Sequence, residues 1–155
     1  MNPGLASWIP LSTRRGRAEL GTVLVLGATG ISGGIAVENA YALGATGVVA
    51  VGRDPDRLAR LVDRRTGAES LRTVAVTGDR EADATRMVAA LAGRPPGIVI
   101  DFVWGAVAES AFRALGHPDL DVDYYDVSYV QIGTMAGPDA SLPGAVAQPE
   151  HHRER

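Results

Sequence analysis

Five short runs rich in Val and Ile recur along the chain, at Thr22–Leu26, Val48–Val51, Thr73–Thr77, Ile98–Val103 and Val127–Ile132. They are apolar nearly throughout rather than alternating, which is how strands covered on both faces of a sheet read. A glycine follows each run closely. Gly27, Gly52, Gly78, Gly105 and Gly133 stand 25, 26, 27 and 28 residues apart in turn. Each interval has room for a loop, a helix and a returning strand, the size of a βαβ unit.

The intervening segments read as helices. Ser32–Leu43 stops at Gly44, a C-cap residue type. Pro55–Arg65 has Asp54 as its cap and Pro55 at the first helical position, and Leu58, Leu61 and Val62 fall on one face. Glu81–Ala92 aligns Ala84, Val88 and Leu91; Ala106–Leu115 aligns Val107, Ala111 and Leu115. Strands alternating with helices predict an α/β fold: a three-layer, doubly wound, mostly parallel sheet of about five strands, Rossmann-like, with right-handed crossovers. In such sheets a ligand lies beyond the carboxyl ends of the strands, where the strand order reverses. With 155 residues, the expectation is one domain. Residues 1–20 form a lead-in whose Trp8, Ile9 and Leu11 are candidates to dock on the body. Residues 21–135 form the core, and 136–155 a poorly ordered tail.

Composition excludes several chemistries. The chain has no cysteine, hence no disulfide, zinc-thiolate site or thiol nucleophile. It also has no lysine, which removes a P-loop lysine, a Schiff-base lysine and any Tyr-x-x-x-Lys catalytic pair. A net charge of -3 gives no reason to expect nucleic acid or an anionic membrane as partner. No apolar run approaches the roughly 20 residues of a membrane span, and no signal segment is evident, so a cytoplasmic location is expected. His151-His152 reads as solvated tail, and no metal is expected.

The strongest local signal is Gly27-Ala28-Thr29-Gly30-Ile31-Ser32-Gly33, between the first strand and the first core helix. Gly30-x-x-Gly33 fits the end of the dinucleotide pattern G-x-G-x-x-G, with the first glycine of that pattern replaced by Ala28 and Gly27 one place earlier. Free amides at the helix start and the positive end of its dipole attract phosphates. Gly30 lets the backbone approach a pyrophosphate, and Gly33 lets the helix pack on the strand. Thr29 and Ser32 add hydroxyl donors. The residues ending the second strand decide the cofactor. An NAD site places Asp or Glu there to hold the ribose 2′-hydroxyl. Here Gly52 stands at that position and leaves room for a 2′-phosphate, and Arg53 follows with a guanidinium suited to phosphate. Arg57 lies one helical turn on and can assist. Asp54 is the alternative ribose acid, although capping the helix at Pro55 accounts for it. The expectation is therefore NADP(H) rather than NAD(H).

Thr22–Ala50, with its glycine loop and Ala42-Leu43-Gly44-Ala45, resembles the cofactor domain of medium-chain dehydrogenases/reductases, in the zinc-free quinone-oxidoreductase-like branch. Asn2-Pro3 and Ser7-Trp8 resemble the segment leading into that domain. Ile98–Gly105 resembles its fourth strand and turn, and Tyr129–Gly133 its fifth strand, which in the family approaches the nicotinamide. The resemblance covers residues 2–147 and implies cofactor contacts at Gly27, Ala28, Thr29, Gly30, Ile31, Gly33, Gly52, Arg53, Arg57, Val103, Gly133 and Thr134. In that family a separate barrel-like domain supplies the substrate site, and nothing in these residues corresponds to it. The sixth strand of the sheet is also missing. The resemblance thus implies the NADP(H)-binding part of an NADP-dependent oxidoreductase of quinone oxidoreductase or alcohol dehydrogenase type. Its partners would be a dinucleotide and a separate catalytic domain or chain, or a second copy in a homodimer.

No catalytic residue can be carried over. Asp101 and Glu109 are isolated acids with no partner identifiable from sequence. His117 reads as a turn, and Tyr124, Tyr125 and Tyr129 lack a companion lysine. Two alternatives remain open. One is an NADP(H)-sensing module resembling the NmrA-like branch of short-chain reductases, which carry Arg-Asp-Pro after the second strand, as Arg53-Asp54-Pro55 does here. The other is a non-functional remnant with an exposed strand edge prone to self-association.

Overall fold

The structure is a computed structural model and describes residues 2–65, 70–120 and 126–133. In chain order its elements are α1 (Pro3–Arg15), β1 (Thr22–Leu26), α2 (Ile31–Ala42), β2 (Gly47–Gly52), α3 (Pro55–Asp63), β3 (Leu71–Ala75), α4 (Arg80–Leu91), β4 (Pro96–Asp101), α5 (Gly105–Leu115) and β5 (Ser128–Gln131). All strand pairs are parallel, and the order across the sheet is β3-β2-β1-β4-β5. The chain builds outward from β1 to β3 and then returns to the other side of β1. That reversal creates a switch point between β1 and β4. Register aligns the carboxyl ends there, since Leu26 pairs with Val51 of β2 and with Asp101 of β4.

Successive strand residues point to opposite faces, so one sheet feeds two cores. Val23, Val25, Val48, Ala50, Ile98 and Ile100 pack with Leu11, Val37, Ala40, Leu58 and Leu61 of α1, α2 and α3. Leu24, Leu26, Val49, Val51 and Val99 pack with Met87, Val88, Leu91, Ala111 and Leu115 of α4 and α5. The three layers are those expected. Strand β3 lies at the sheet edge and shows it, with Arg72 and Thr73 exposed. It also begins and ends two residues earlier than its apolar run suggests, because pairing with β2 runs from Leu71 to Ala75.

The lead-in differs most from expectation. It is a helix, α1, started by Asn2, whose side chain accepts from the Gly4 amide, and by Pro3 in the first turn. Pro10 sits within it and cannot donate to the carbonyl one turn back. The helical period turns Ser7 and Leu11 inward, both fully buried, and leaves Leu5, Trp8 and Ile9 exposed. Of the three residues expected to dock, Leu11 alone does so. Asn39 of α2 fastens the helix by donating to Ser7 Oγ and to the Gly4 carbonyl. Residues 134–155, with Thr134 and the histidine tail, and Tyr124 and Tyr125 lie outside the described residues.

Candidate functional site

A cleft of about 450 Å³ opens at the carboxyl edge over the switch point. One wall is the glycine loop with the start of α2, contributing Gly27, Thr29, Gly30, Ile31 and Ser32. The β2 end supplies Val51, Gly52, Arg53 and Arg57, and the β4–α5 turn and the β5 end supply Phe102, Val103, Val107 and Gly133. Val76 closes the side toward β3. Every predicted contact among the described residues lies here except two. Ala28 is fully buried and lines an adjoining cleft. Gly33 is buried beneath the loop. Of the five strand-following glycines, Gly27, Gly52 and Gly133 line the cleft, whereas Gly78 and Gly105 do not.

The loop's shape follows from contacts its glycines permit. Gly27 has φ +88°, and a Cβ there would stand 2.8 Å from Val103 Cγ1. Its amide and that of Ala28 both donate to the Val51 carbonyl, tying the loop to β2. A Cβ on Gly33 would lie 2.0 Å from the Gly27 carbonyl oxygen and 2.7 Å from Ala28 Cα, so α2 can pack this closely only without a side chain there. Gly30 is different. It is exposed, has ordinary extended φ, and its Cβ would meet nothing nearer than the Gly27 oxygen at 3.8 Å. Among the described residues nothing demands glycine at that position.

Helix starts in this fold differ in their caps, and the start of α2 faces the cleft. Asn2, Asp54 and Asp79 place side-chain oxygens on the first amides of α1, α3 and α4. Neither α2 nor α5 has a side-chain cap. The amides of Ile31 and Ser32 therefore point outward from a dipole's positive end without a partner among the described residues. Ile31 itself is an apolar side chain left 81% exposed at the cleft mouth.

At the β2 end, Asp54 accepts from the amides of Asp56 and Arg57, so its helix-capping role is the one observed. Arg57 Nε lies 3.6 Å from Asp54 Oδ2 on the surface. Arg53 is exposed and has no ion-pair partner among the described residues. The space directly over Gly52 is taken by the Thr29 side chain, whose Cγ2 would be 2.7 Å from a Cβ at position 52. The glycine thus seats the loop against β2 rather than leaving a void.

Asp101 is not isolated. It is fully buried at the end of β4; its Oδ1 accepts from the amides of Val103 (2.9 Å) and Trp104 (2.8 Å), and its Oδ2 from Tyr129 Oη (2.6 Å). Burial, followed by the adjacent Asp101 charge and their hydrogen bond, pushes the Tyr129 phenol far above its ordinary range. Glu109 likewise pairs with Arg80 Nη2, at 3.0 Å. Neither pairing was legible in sequence, since each spans about 28 residues. Sequence reasoning also passed over Phe102, Val107 and Val76, which wall the cleft. Their signal was apolar side chains at the carboxyl edge, which becomes specific only once strand order is known. Among the described residues no group of His, Asp and Glu could hold a metal ion, and no helix is long and apolar enough to cross a membrane.

A parallel sheet whose switch point carries a glycine loop and an uncapped helix start defines a Rossmann-like domain. The chain is 36% identical over 139 residues to an Emericella nidulans protein named as a probable NADPH-dependent quinone reductase, tdiC; the match takes in 88% of this chain and 36% of that relative. Among solved structures, alcohol dehydrogenase TADH from Thermus sp. ATN1 is 26% identical, with a TM-score of 0.56 over 90% of this chain and 36% of that one. A mycobacterial quinone oxidoreductase has a TM-score of 0.68 at 21% identity, over 91% of this chain and 39% of its own. No family model matches the chain. The chain spans well under half the length of these relatives. In sequence and fold it is similar to the portion of medium-chain dehydrogenases/reductases that forms the cofactor domain.

Proposed function

We propose that this chain binds NADP(H) in the cleft between β1 and β4, as the cofactor domain of an oxidoreductase of quinone oxidoreductase or alcohol dehydrogenase type. The observation that carries the reading is the pair of features at Gly30: uncapped amides on Ile31 and Ser32, and open space where a side chain would fit. Both suit a pyrophosphate drawn against the helix start. Arg53 and Arg57, on the cleft's β2 side, are the residues for the 2′-phosphate. No carboxylate at the strand end competes for a ribose hydroxyl, because Asp54 is spent on its helix. The other half of the dinucleotide extends toward Val103 and Gly133. Bound, the cofactor supplies hydride chemistry; the chain's residues bind and orient it.

The relative whose name reports NADPH dependence supports this choice of cofactor. The substrate wall would come from a further domain or another chain. The test is NADPH consumption in the presence of a naphthoquinone. The chain alone should bind NADPH and leave the reduced cofactor unconsumed, and turnover should appear when a catalytic domain is fused or added. Quinone turnover by the chain alone would refute the division of labour. Failure to bind NADPH would refute the reading itself.

A further inference from the structure

The carboxylate of Asp101 is fully buried, yet it sits behind the cleft rather than in it. A buried charge persists only when its lone pairs are taken. Here they join two segments that lie about 28 residues apart in sequence. Oδ1 holds the amides of Val103 and Trp104 in the β4–α5 turn, and Oδ2 holds the Tyr129 hydroxyl in β5. The same residue's carbonyl accepts from Ile132 (2.7 Å) and Gly133 (3.3 Å). Gly133 is pressed so close that a Cβ would lie 2.3 Å from the Phe102 carbonyl oxygen. The turn also carries strain, for Trp104 has φ +56°, a region L residues seldom occupy. Such a conformation lasts only while its surroundings enforce it. The Trp104, Phe112 and Tyr129 rings close the back of the turn, with centroids 4.8–6.4 Å apart.

We infer that the Asp101–Tyr129 pair is a positioning device, which fixes Val103 on one wall and Gly133 on the other at the spacing that receives the non-adenosine half of the dinucleotide. This rests on the dinucleotide reading above. The adenosine ribose is held after β2, so the nicotinamide half falls on the β4–β5 side. Tyr129 touches no ligand in this account. It acts through Asp101 and the backbone. Without its hydroxyl the turn loosens, and binding must then restore the order that the free chain has lost.

The experiment measures NADPH and 2′,5′-ADP affinities by calorimetry for the full chain, for Tyr129→Phe, and for Tyr41→Phe, which loses a hydroxyl bonded to Ser70 outside the cleft. The 2′,5′-ADP ligand reports the phosphate and adenosine end alone. Tyr129→Phe should weaken NADPH by about fivefold or more, the scale of stranding a buried acceptor, and change 2′,5′-ADP by less than about twofold. Tyr41→Phe should change neither. Equal weakening of both ligands by Tyr129→Phe, or no change in either, overturns the inference while leaving the dinucleotide reading intact. A wild-type chain that binds neither ligand overturns both. Unfolding midpoints and near-ultraviolet circular dichroism of each variant establish that the comparison is between folded proteins.

Discussion

Two alanine substitutions three residues apart in the glycine loop should have opposite consequences. At Gly33 the new methyl would stand 2.0 Å from the Gly27 carbonyl oxygen and 2.7 Å from Ala28 Cα. Both obstacles are backbone, so α2 must move off the loop. Overpacking of this kind costs about 3 kcal/mol. For a chain of this size that lowers Tm by roughly 6–12 °C. At Gly30 the methyl meets nothing within 3.8 Å, and φ is ordinary for any residue. The helix loses a modest cap preference and gains from a stiffer unfolded chain, effects of a few tenths to about 1 kcal/mol that offset each other. Tm should stay within about 2 °C. A pyrophosphate lying against Ile31 and Ser32 would nevertheless collide with the new methyl, and NADPH affinity should fall by about tenfold or more, as for a methyl forced into a packed contact. Differential scanning fluorimetry and calorimetric titration on the same samples separate the two cases. A Gly30→Ala variant that binds NADPH like the wild type would refute the placement of phosphate at this helix start.

Arg53→Ala should weaken NADPH by about tenfold and NADH hardly at all, as expected for loss of one exposed, screened guanidinium–phosphate contact; equal losses in parallel titrations would count against it. Asp54→Ala should cost about 1 kcal/mol of stability through the lost α3 cap, seen as a lower unfolding midpoint, with the NADPH-to-NADH preference unchanged; selective loss of NADH would instead make Asp54 a ribose ligand. Tyr129 gives a pH signature. Its folded pKa is raised above the ordinary 10.0, so the unfolded chain loses this proton first and stability should fall as pH rises beyond about 10. With no lysine or cysteine in the chain, that alkaline loss belongs largely to tyrosine, and Tyr129→Phe should flatten it in denaturation curves measured across that range.

Much of the fold was legible because its causes are local. Apolar runs such as Thr22–Leu26 read as buried strands since both faces are covered, and Asp54-Pro55 announced a helix start that the structure reproduces. The loop was legible for the same reason. Gly33 answers to the backbone of Gly27 and Ala28, only a few residues away, whereas Gly27 meets Val103 and Phe102 from the distant β4–α5 turn. What escaped depends on elements distant in sequence. In α1 the tryptophan drew attention, but the buried side is set by Ser7 and Leu11 meeting α2. Asp101 looked isolated because its partner hydroxyl enters from β5. The void foreseen over Gly52 is filled by Thr29, a contact between the glycine loop and the end of β2 that no spacing reveals.

The central claim is that the cleft over the β1–β4 switch point holds NADP(H). It is tested most directly by titrating the chain with NADPH and with NADH, following enhancement of reduced-nicotinamide fluorescence. The account predicts saturable binding of both, with NADPH tighter by about tenfold, the worth of one charged phosphate contact. Tighter binding of NADH would contradict the role given to Arg53 and Arg57, and no binding of either would contradict the account as a whole.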